Sequence, residues 1–270
     1  MLSSTAIATD TPDGLNYRLS ADMLTAAQAD SFRQAVALSK GIGDDRGFNH
    51  WAGIHGLPLP MYCQHHTILF LPWHRAYLYF FELSLQDRVG GVALPWWDWS
   101  SRPAEGSGIP SLYTQAEAGG ATNPLLASPI PAAAQTASMD EGAPPTTTSR
   151  SPGAVDGLPT AAEVQEVLAA PNFLDFSQRV ENLHDRVHVW VGGTMAEIPW
   201  AAYDPLFFAH HCMIDRLWAL WQLEHPGDAP PAQTLPEALP PFNMTVAQTL
   251  AINSLGYEYA AARVTAPAGQ

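Results

Sequence analysis

Residues 65–82 read HHTILFLPWHRAYLYFFE, and residues 204–215 read DPLFFAHHCMID. Both stretches set histidines among apolar residues that suit a buried helix. A third stretch, residues 183–190, reads LHDRVHVW and places two histidines four positions apart, on one face of a predicted helix. These three stretches therefore predict helices that turn histidines towards a shared interior.

The histidines are concentrated in two regions of the chain. Nine of the ten lie within residues 50–74 or 184–211. A single histidine in apolar surroundings is usually a core residue with a satisfied ring, because an unsatisfied buried polar group costs about 1–3 kcal/mol. Two sets of three are better explained by transition metals, for which imidazole is a suitable ligand. The two candidate triads are His55, His65, His74 and His184, His188, His211.

These stretches also carry a family resemblance. Residues 65–82 resemble the first copper-binding signature of the tyrosinase, catechol oxidase and molluscan haemocyanin superfamily, and residues 204–215 resemble its second. The resemblance covers about residues 46–100 and 178–224. It implies two copper ions, one bound by each triad, with dioxygen as co-substrate.

Three ligand positions have a rival. The family's spacing favours His65 over His66 and His211 over His210. By distance alone His50 could also be the first ligand, but the histidine–glycine pair at residues 55–56 resembles the pattern that opens the site in relatives. The remaining histidines are expected to pack, to support ligands or to lie on the surface: His50, His66, His210 and His225.

The two cysteines, Cys63 and Cys212, cannot form a disulfide framework, which favours a reduced chain. The resemblance implies instead that the sulfur of Cys63 is bonded to a ring carbon of His65. A buried free thiol is the alternative. Cys212 is expected to point into the core as a small hydrophobic residue.

The resemblance further implies a proton acceptor near the second triad. In relatives with strong activity on monophenols, a glutamate before the first histidine, and often an asparagine after it, hold a water that takes the phenol's proton. Glu181 fits the glutamate, and Asp175 is its rival; Asp185 stands where the asparagine would be. An ionised aspartate only accepts hydrogen bonds, and two nearby carboxylates tend to share a proton. We therefore expect robust diphenolase and weaker monophenolase activity.

Four further residues are assigned by their positions along the predicted helices. Val189, Ile198 and Phe208 are candidates for the wall of an aromatic substrate pocket, with ordinary core packing as the alternative. Asp215 lies one turn after His211. It could accept a hydrogen bond from a ligand ring, as carboxylates often do beside metal sites, or form a plain salt bridge.

The expected fold is mainly α, a four-helix bundle housing a dinuclear copper site with long irregular connections, in a single domain over residues 1–270. Ser20 and Gly41 bracket a predicted helix over 21–40, and Asp204 and Pro205 are the predicted N-cap and first position of another. Residues 101–160 form a long low-complexity insertion, and residues 225–270 a proline-rich and C-terminal tail. The predicted helices span residues 21–40, 45–55, 67–89, 176–191 and 204–223.

Charge and composition exclude several classes of partner. The net charge is −14 and Lys40 is the single lysine, which disfavours binding to nucleic acid or an anionic membrane. No run of about 18 apolar residues suggests a membrane span. Residues 1–10 do not resemble a signal peptide, so a cytoplasmic location is expected, although export with a signal-bearing partner stays open. Some bacterial relatives use a helper, so a helper protein for copper loading is also possible here.

The predicted function is a dicopper oxidase that uses dioxygen to convert phenols and catechols into o-quinones, with a small phenolic substrate. Three alternatives share part of the evidence. An o-aminophenol oxidase would use the same coppers on a different ring substituent, and a haemocyanin-like protein would bind oxygen without turnover. A dinuclear zinc hydrolase fits least well, because such sites usually include bridging carboxylates.

Overall fold

The computed structural model describes residues 14–101, 108–138 and 144–260, so the predictions for residues 1–10 and the end of the tail lie outside the described residues. Its short strands are β1 (Asn16–Arg18), β2 (Glu117–Ala118), β3 (Ala121–Thr122) and β4 (Tyr257–Tyr259). Its helices are α1 (Ala26–Lys40), α2 (Phe48–His55), α3 (Phe70–Gln86), α4 (Ser111–Thr114), α5 (Ala132–Ala137), α6 (Ala161–Leu168), α7 (Phe173–Val191), α8 (Ile198–Ala201) and α9 (Leu206–Glu224).

A bundle of α2, α3, α7 and α9 forms the centre of the fold, which confirms the predicted mainly helical architecture. Helix α9 packs against both α3 and α7, and aromatic side chains join α2 to the other helices. The rings of Phe81 and Phe208 stack with their centroids 3.9 Å apart, and Phe48 meets both rings edge-on. In the described part of the chain, no helix has the length and apolar character needed to cross a bilayer.

Helix α1 begins later than predicted because a stronger cap competes with Ser20. Thr25 and Gln28 form a reciprocal capping box, in which the Thr25 hydroxyl accepts from the Gln28 N–H at 3.2 Å and the Gln28 side chain accepts from the Thr25 N–H at 2.9 Å. Ser20 caps only a short 3-10 turn before it. The predicted stop at Gly41 is confirmed.

Helices α7 and α9 carry three of the candidate ligands, and their starts also differ from the prediction. Helix α7 begins three residues early because Asn172 Oδ1 accepts from the Asp175 N–H at 3.0 Å. Helix α9 begins at Leu206, with Pro205 as the residue before it. The Asp204 carboxylate still accepts from the Leu206 N–H at 2.9 Å, so the predicted capping residue acts from one position further out.

The described parts of the 101–160 insertion are held to the bundle by Arg150. Its guanidinium makes two hydrogen bonds to the buried Asp204 carboxylate, at 2.7 and 2.6 Å. It also donates to the carbonyls of Tyr113 at 2.7 Å and Leu125 at 2.9 Å. The insertion therefore meets the start of α9 through one bidentate ion pair.

The single lysine also holds the insertion to the rest of the fold. Lys40 Nζ donates to the carbonyls of Pro124 and Ala127 and lies 5.2 Å from the centre of the Phe48 ring. Burial lowers the pKa of Lys40 to about 8. The last residue of α1 thus binds the insertion through two backbone carbonyls.

A buried ion network joins the two ends of the described chain to the bundle. Strands β1 and β4 pair in parallel, so the tail returns to the N-terminal segment. The Asp215 carboxylate lies at the centre of the network as a salt bridge, and the predicted alternative, a hydrogen bond to a ligand ring, is not what the structure shows. Its partners are Arg75, Arg18 at 3.3 Å, and the hydroxyls of Tyr257 and Tyr259, each at 2.7 Å.

Asp215→Asn is expected to lower the free energy of unfolding by about 3–5 kcal/mol, because it leaves the buried Arg75 guanidinium without its counter-charge, whereas Arg18 keeps Glu82. Burial alone would raise the pKa of Asp215, but Arg75 and Arg18 hold it below its ordinary value. The stabilisation is therefore complete above about pH 4 and is lost as the pH falls through the lowered pKa.

Urea unfolding at neutral pH and along an acid series measures both effects. Asp44→Asn, which removes an exposed carboxylate paired with Arg46, is the control and should unfold at the wild-type urea concentration. A wild-type midpoint for Asp215→Asn would show that the network contributes little.

Candidate metal centre

The first triad comes from the end of α2, the following loop and the second turn of α3. His55 is the last residue of α2, His65 lies in the loop, and His74 follows four residues after the start of α3. Their ring centroids are 5.3, 5.7 and 5.4 Å apart, so the three rings form a nearly equilateral triangle. The structure therefore brings together all three predicted residues.

The second triad comes from two helices that pack against each other. His184 and His188 are one turn apart on α7, and their Nε2 atoms lie 3.3 and 3.2 Å from Nε2 of His211 on α9. Three ring nitrogens thus point at one another in a buried space. The structure brings together the second predicted set as well.

The two triads lie side by side. The rings of His74 and His211 stack with centroids 4.5 Å apart and an interplanar angle of 17°. His65 and His184 also stack, at 5.8 Å. This spacing suits a dinuclear centre rather than two independent metal sites.

Hydrogen bonds at Nδ1 decide which nitrogen of each ring carries the hydrogen and which keeps a lone pair for a metal. Nδ1 of His74 lies 2.8 Å from the Phe70 carbonyl, and Nδ1 of His188 lies 2.7 Å from the Met195 carbonyl. A carbonyl only accepts, so each Nδ1 carries the hydrogen and each Nε2 keeps a lone pair. Nδ1 of His184 lies 2.9 Å from Oδ1 of Asp185, which has the same effect.

This arrangement fits two metal ions. A proton on His211 Nε2 could satisfy only one of the two lone pairs that face it, whereas a metal ion accepts all three. Among the described residues, both ring nitrogens of His55 and Nε2 of His74 are buried without a hydrogen-bond partner. An all-nitrogen donor set of this kind suits copper.

Burial keeps the six rings in the form that binds metal. It lowers the pKa of His65 and His188 to about 4. It lowers the pKa of the other four well below the ordinary value, with neighbouring histidines adding to the shift. All six are therefore neutral at pH 7, and metal would not have to displace protons.

The structure also adds His210 to the second cluster, with its ligand atoms within 4.8 Å of those of the triad. It is fully buried, and its ring lies parallel to that of His184 at 5.2 Å. The short Nε2 contacts nevertheless converge on His211. Both ring nitrogens of His210 are buried without a hydrogen-bond partner, so the choice of His211 as ligand and His210 as packing residue stays a prediction.

Cys63 lies beside the first triad. Its sulfur is within 4.8 Å of ligand atoms of His55 and His65. Burial raises the pKa of the Cys63 thiol to about 11. Cys212 is fully buried in the hydrophobic core, as predicted.

Phe207, rather than the predicted Phe208, faces the metal centre. Its ring stacks on His211 at 4.0 Å and meets His55 edge-on at 4.7 Å. Phe208 is turned about 100° further around α9 and stacks on Phe81 in the core, so its assignment to the substrate pocket is wrong. Helical spacing could have found Phe207, because it lies four residues before His211 on the same face.

Glu181 and Asp185 both lie close to the metal centre on α7, but they are not equivalent. Glu181 is buried, and its Oε1 accepts from the backbone N–H of His66 at 2.6 Å. Asp185 is partly exposed and contacts His184. Burial raises the pKa of both carboxyl groups. The rival Asp175 instead pairs with Arg179 near the start of the helix.

The remaining predicted pocket residues lie at the surface, Val189 directly after His188 of the second triad and Ile198 at the start of α8. Val189 is 70% exposed and Ile198 is 47% exposed. Gly56 allows α8 to approach α2, because a Cβ there would lie 2.2 Å from the Pro199 carbonyl oxygen. Ile198 is thereby held next to the end of α2, where His55 lies.

Comparisons with known proteins agree with this geometry. The model of the common central domain of tyrosinase matches residues 45–224. The Streptomyces antibioticus tyrosinase is 36% identical over 222 residues, covering 72% of this chain and 80% of that protein.

Two solved structures share the fold. A functional unit of octopus haemocyanin superposes with a TM-score of 0.76 at 28% identity, covering 90% of this chain and 67% of that one. Mushroom tyrosinase superposes with a TM-score of 0.74 at 20% identity, covering 92% and 90%, and this likeness shows the fold alone. From its family match, its relatives and its two histidine triads, the chain belongs to the tyrosinase family of type 3 dicopper proteins, which use two copper ions and dioxygen.

Proposed function

We propose that this protein is a phenol oxidase that converts catechols, and more slowly monophenols, into o-quinones. The observation that carries the proposal is the apposition of two buried triads with free Nε2 atoms. When bound, two copper ions would carry electrons from the substrate to dioxygen. Two catechols would reduce one dioxygen to two waters, whereas a monophenol would take one oxygen atom into its ring and the other would leave as water. The proposed ligands are His55, His65 and His74 for the first copper and His184, His188 and His211 for the second.

The chain's own contribution begins with the orientation of the rings. The carbonyls of Phe70 and Met195 hold His74 and His188 by their Nδ1 hydrogens, and Asp185 holds His184. These bonds fix the tautomer and keep each Nε2 directed inwards without a proton. Oxidation of one catechol releases two protons, which end on the water formed from dioxygen. Glu181 and Asp185 are the proposed acceptors that hold them on the way.

Substrate access and water exclusion involve different side chains around the centre. Phe207 covers His211 and His55 from within the core, which keeps water from that side. The exposed apolar residues Val189 and Ile198 offer a surface for an aromatic ring. An oxidase of phenols needs such a surface beside its metal centre, and this favours oxidase activity over oxygen transport alone.

Two alternatives use the same centre. Haemocyanin relatives support an oxygen-binding protein without turnover, and an o-aminophenol oxidase would differ only in substrate. An oxygen-consumption assay of copper-loaded protein with a monophenol, a catechol and an o-aminophenol separates the three. We expect the catechol to be oxidised fastest; an oxygenated absorbance band with no turnover of any substrate would favour the carrier.

His188→Ala and His211→Ala are each expected to halve the copper content and abolish oxidase activity, because each removes one of three donors to the second ion. Metal analysis and circular dichroism test this together. His50→Ala is the matched control: His50 lies on α2 with His55 but contacts Trp51, and its variant should retain both ions. Full activity in both ligand variants would overturn the ligand assignment.

The position of Cys63 supports a covalent bond between its sulfur and a ring carbon of His65. Each partner loses one hydrogen when this bond forms, with dioxygen at the copper site as the oxidant. Copper-loaded protein should therefore weigh about 2 Da less than its sequence mass. Cys63→Ala, which cannot form the bond, should show the full mass; a full wild-type mass with Cys63 still open to alkylation would rule the bond out.

Asp185→Asn is expected to raise the rate on monophenols relative to catechols, because an amide can donate as well as accept in holding a water near the substrate. Glu181→Gln should lower that ratio, since it removes a base while keeping an oxygen for the His66 N–H. The ratio of initial rates on a matched monophenol and catechol is the measurement. An unchanged ratio in both variants would show that neither carboxyl group accepts the phenol's proton.

A further inference from the structure

Four exposed or partly exposed residues next to the candidate ligands define the entrance to the metal centre: His66 follows His65, Asp185 follows His184, Val189 follows His188, and Ile198 begins α8, which packs against α2. Val189 and Ile198 are apolar and exposed, and the His66 side chain is 68% exposed. His66 is also the one described non-glycine residue with a positive φ, at 52°. That conformation is uncommon outside glycine, and the bond from its N–H to Glu181 maintains it.

The charge at this entrance is negative. Oδ1 of Asp185 accepts from the ring of His184, which leaves Oδ2 on the open side, 3.9 Å from Nε2 of His66. Glu197 is exposed and directly precedes Ile198. The entrance therefore contains one carboxylate, Asp185, and a second, Glu197, adjoins Ile198 in the chain.

The cations on the same helix do not compensate this charge. Arg186, next to Asp185, donates to Glu163 at 2.7 Å, and Arg179 pairs with Asp175. The whole chain carries a net charge of −14. Summed over a cleft, such a distribution attracts cationic ligands and repels anionic ones.

We propose that this entrance selects phenols whose side chain ends in a cationic amine over phenols whose side chain ends in a carboxylate. The inference rests on the proposed oxidase function. With the ring against Val189 and Ile198 and the hydroxyls at the metal centre, a short side chain extends towards the rim. An ammonium group there gains from Asp185 and Glu197, whereas a carboxylate is repelled by them.

Three catechols with the same ring test the proposal: 4-(2-aminoethyl)catechol, 4-methylcatechol and 3-(3,4-dihydroxyphenyl)propanoate. In dilute buffer we expect KM for the amine to be about fivefold below, and KM for the acid about fivefold above, the neutral value. In 0.5 M salt the difference should shrink, because screening weakens exposed charges. Equal KM values for the amine and the acid in dilute buffer would overturn the proposal.

Asp185→Asn separates the charge from the structural role of this residue. Its Oδ1 can still accept from His184, but the negative charge is gone, so the ratio of the two KM values should fall several-fold. Glu224→Gln, which removes one exposed charge about 20 Å along α9 from His211, is the matched control and should keep the wild-type ratio. An unchanged ratio in Asp185→Asn would show that Asp185 does not select the substrate.

A binding measurement distinguishes failure of this inference from failure of the oxidase proposal. Saturation-transfer NMR on copper-free protein compares 2-phenylethylamine with 3-phenylpropanoate, neither of which can be oxidised as a catechol. Preferential binding of the amine without turnover of any catechol would support the entrance and refute the oxidase. Turnover of catechols without a preference for the amine would support the oxidase and refute the selective entrance. Both measurements use wild-type protein, so they remain available if a variant fails to fold.

Discussion

The ion pair between Arg75 and Asp215 holds together the two helices on which the metal centre depends. Arg75 follows His74 directly on α3, and Asp215 lies one turn after His211 on α9. The pair therefore fixes one candidate ligand of each triad relative to the other. A buried ion pair stabilises such an arrangement only when every charge is satisfied. Arg18 also bonds to Asp215 and is itself paired with the buried Glu82, and the tyrosines of β4 donate to the Asp215 carboxylate. The chain ends thus support a centre that lies far from them in sequence.

The helices of the bundle could be predicted because apolar periodicity and caps are local signals. Their starts could not be placed as well, because neighbouring caps compete: Thr25 forms a complete capping box with Gln28, and Ser20 does not. The insertion was harder still. Its sequence lacks periodicity. The contact that holds it to the bundle joins Arg150 to Asp204, 54 residues away, and no local sequence pattern records such a contact.

The grouping of the six histidines was visible in the sequence, because spacing on helices and family signatures both report it. The contacts that orient the rings were not. The bond from the His66 N–H to Glu181 spans 115 residues, and only the packing of the loop on α7 reveals it. Phe208 was misplaced for a simpler reason. In a pair of adjacent phenylalanines, helical geometry turns only one towards the histidine four residues later.

The tethering of Lys40 has a consequence for an enzyme that releases o-quinones. Quinones are electrophiles that add to free amines and thiols, so such an enzyme is exposed to its own product. Here the single lysine has its nitrogen engaged by the carbonyls of Pro124 and Ala127. Cys212 is fully buried, and the partly buried Cys63 is the residue proposed to be bonded to His65. A surface that offers so few soft nucleophiles would let the catalyst survive many turnovers in the presence of the compound it makes.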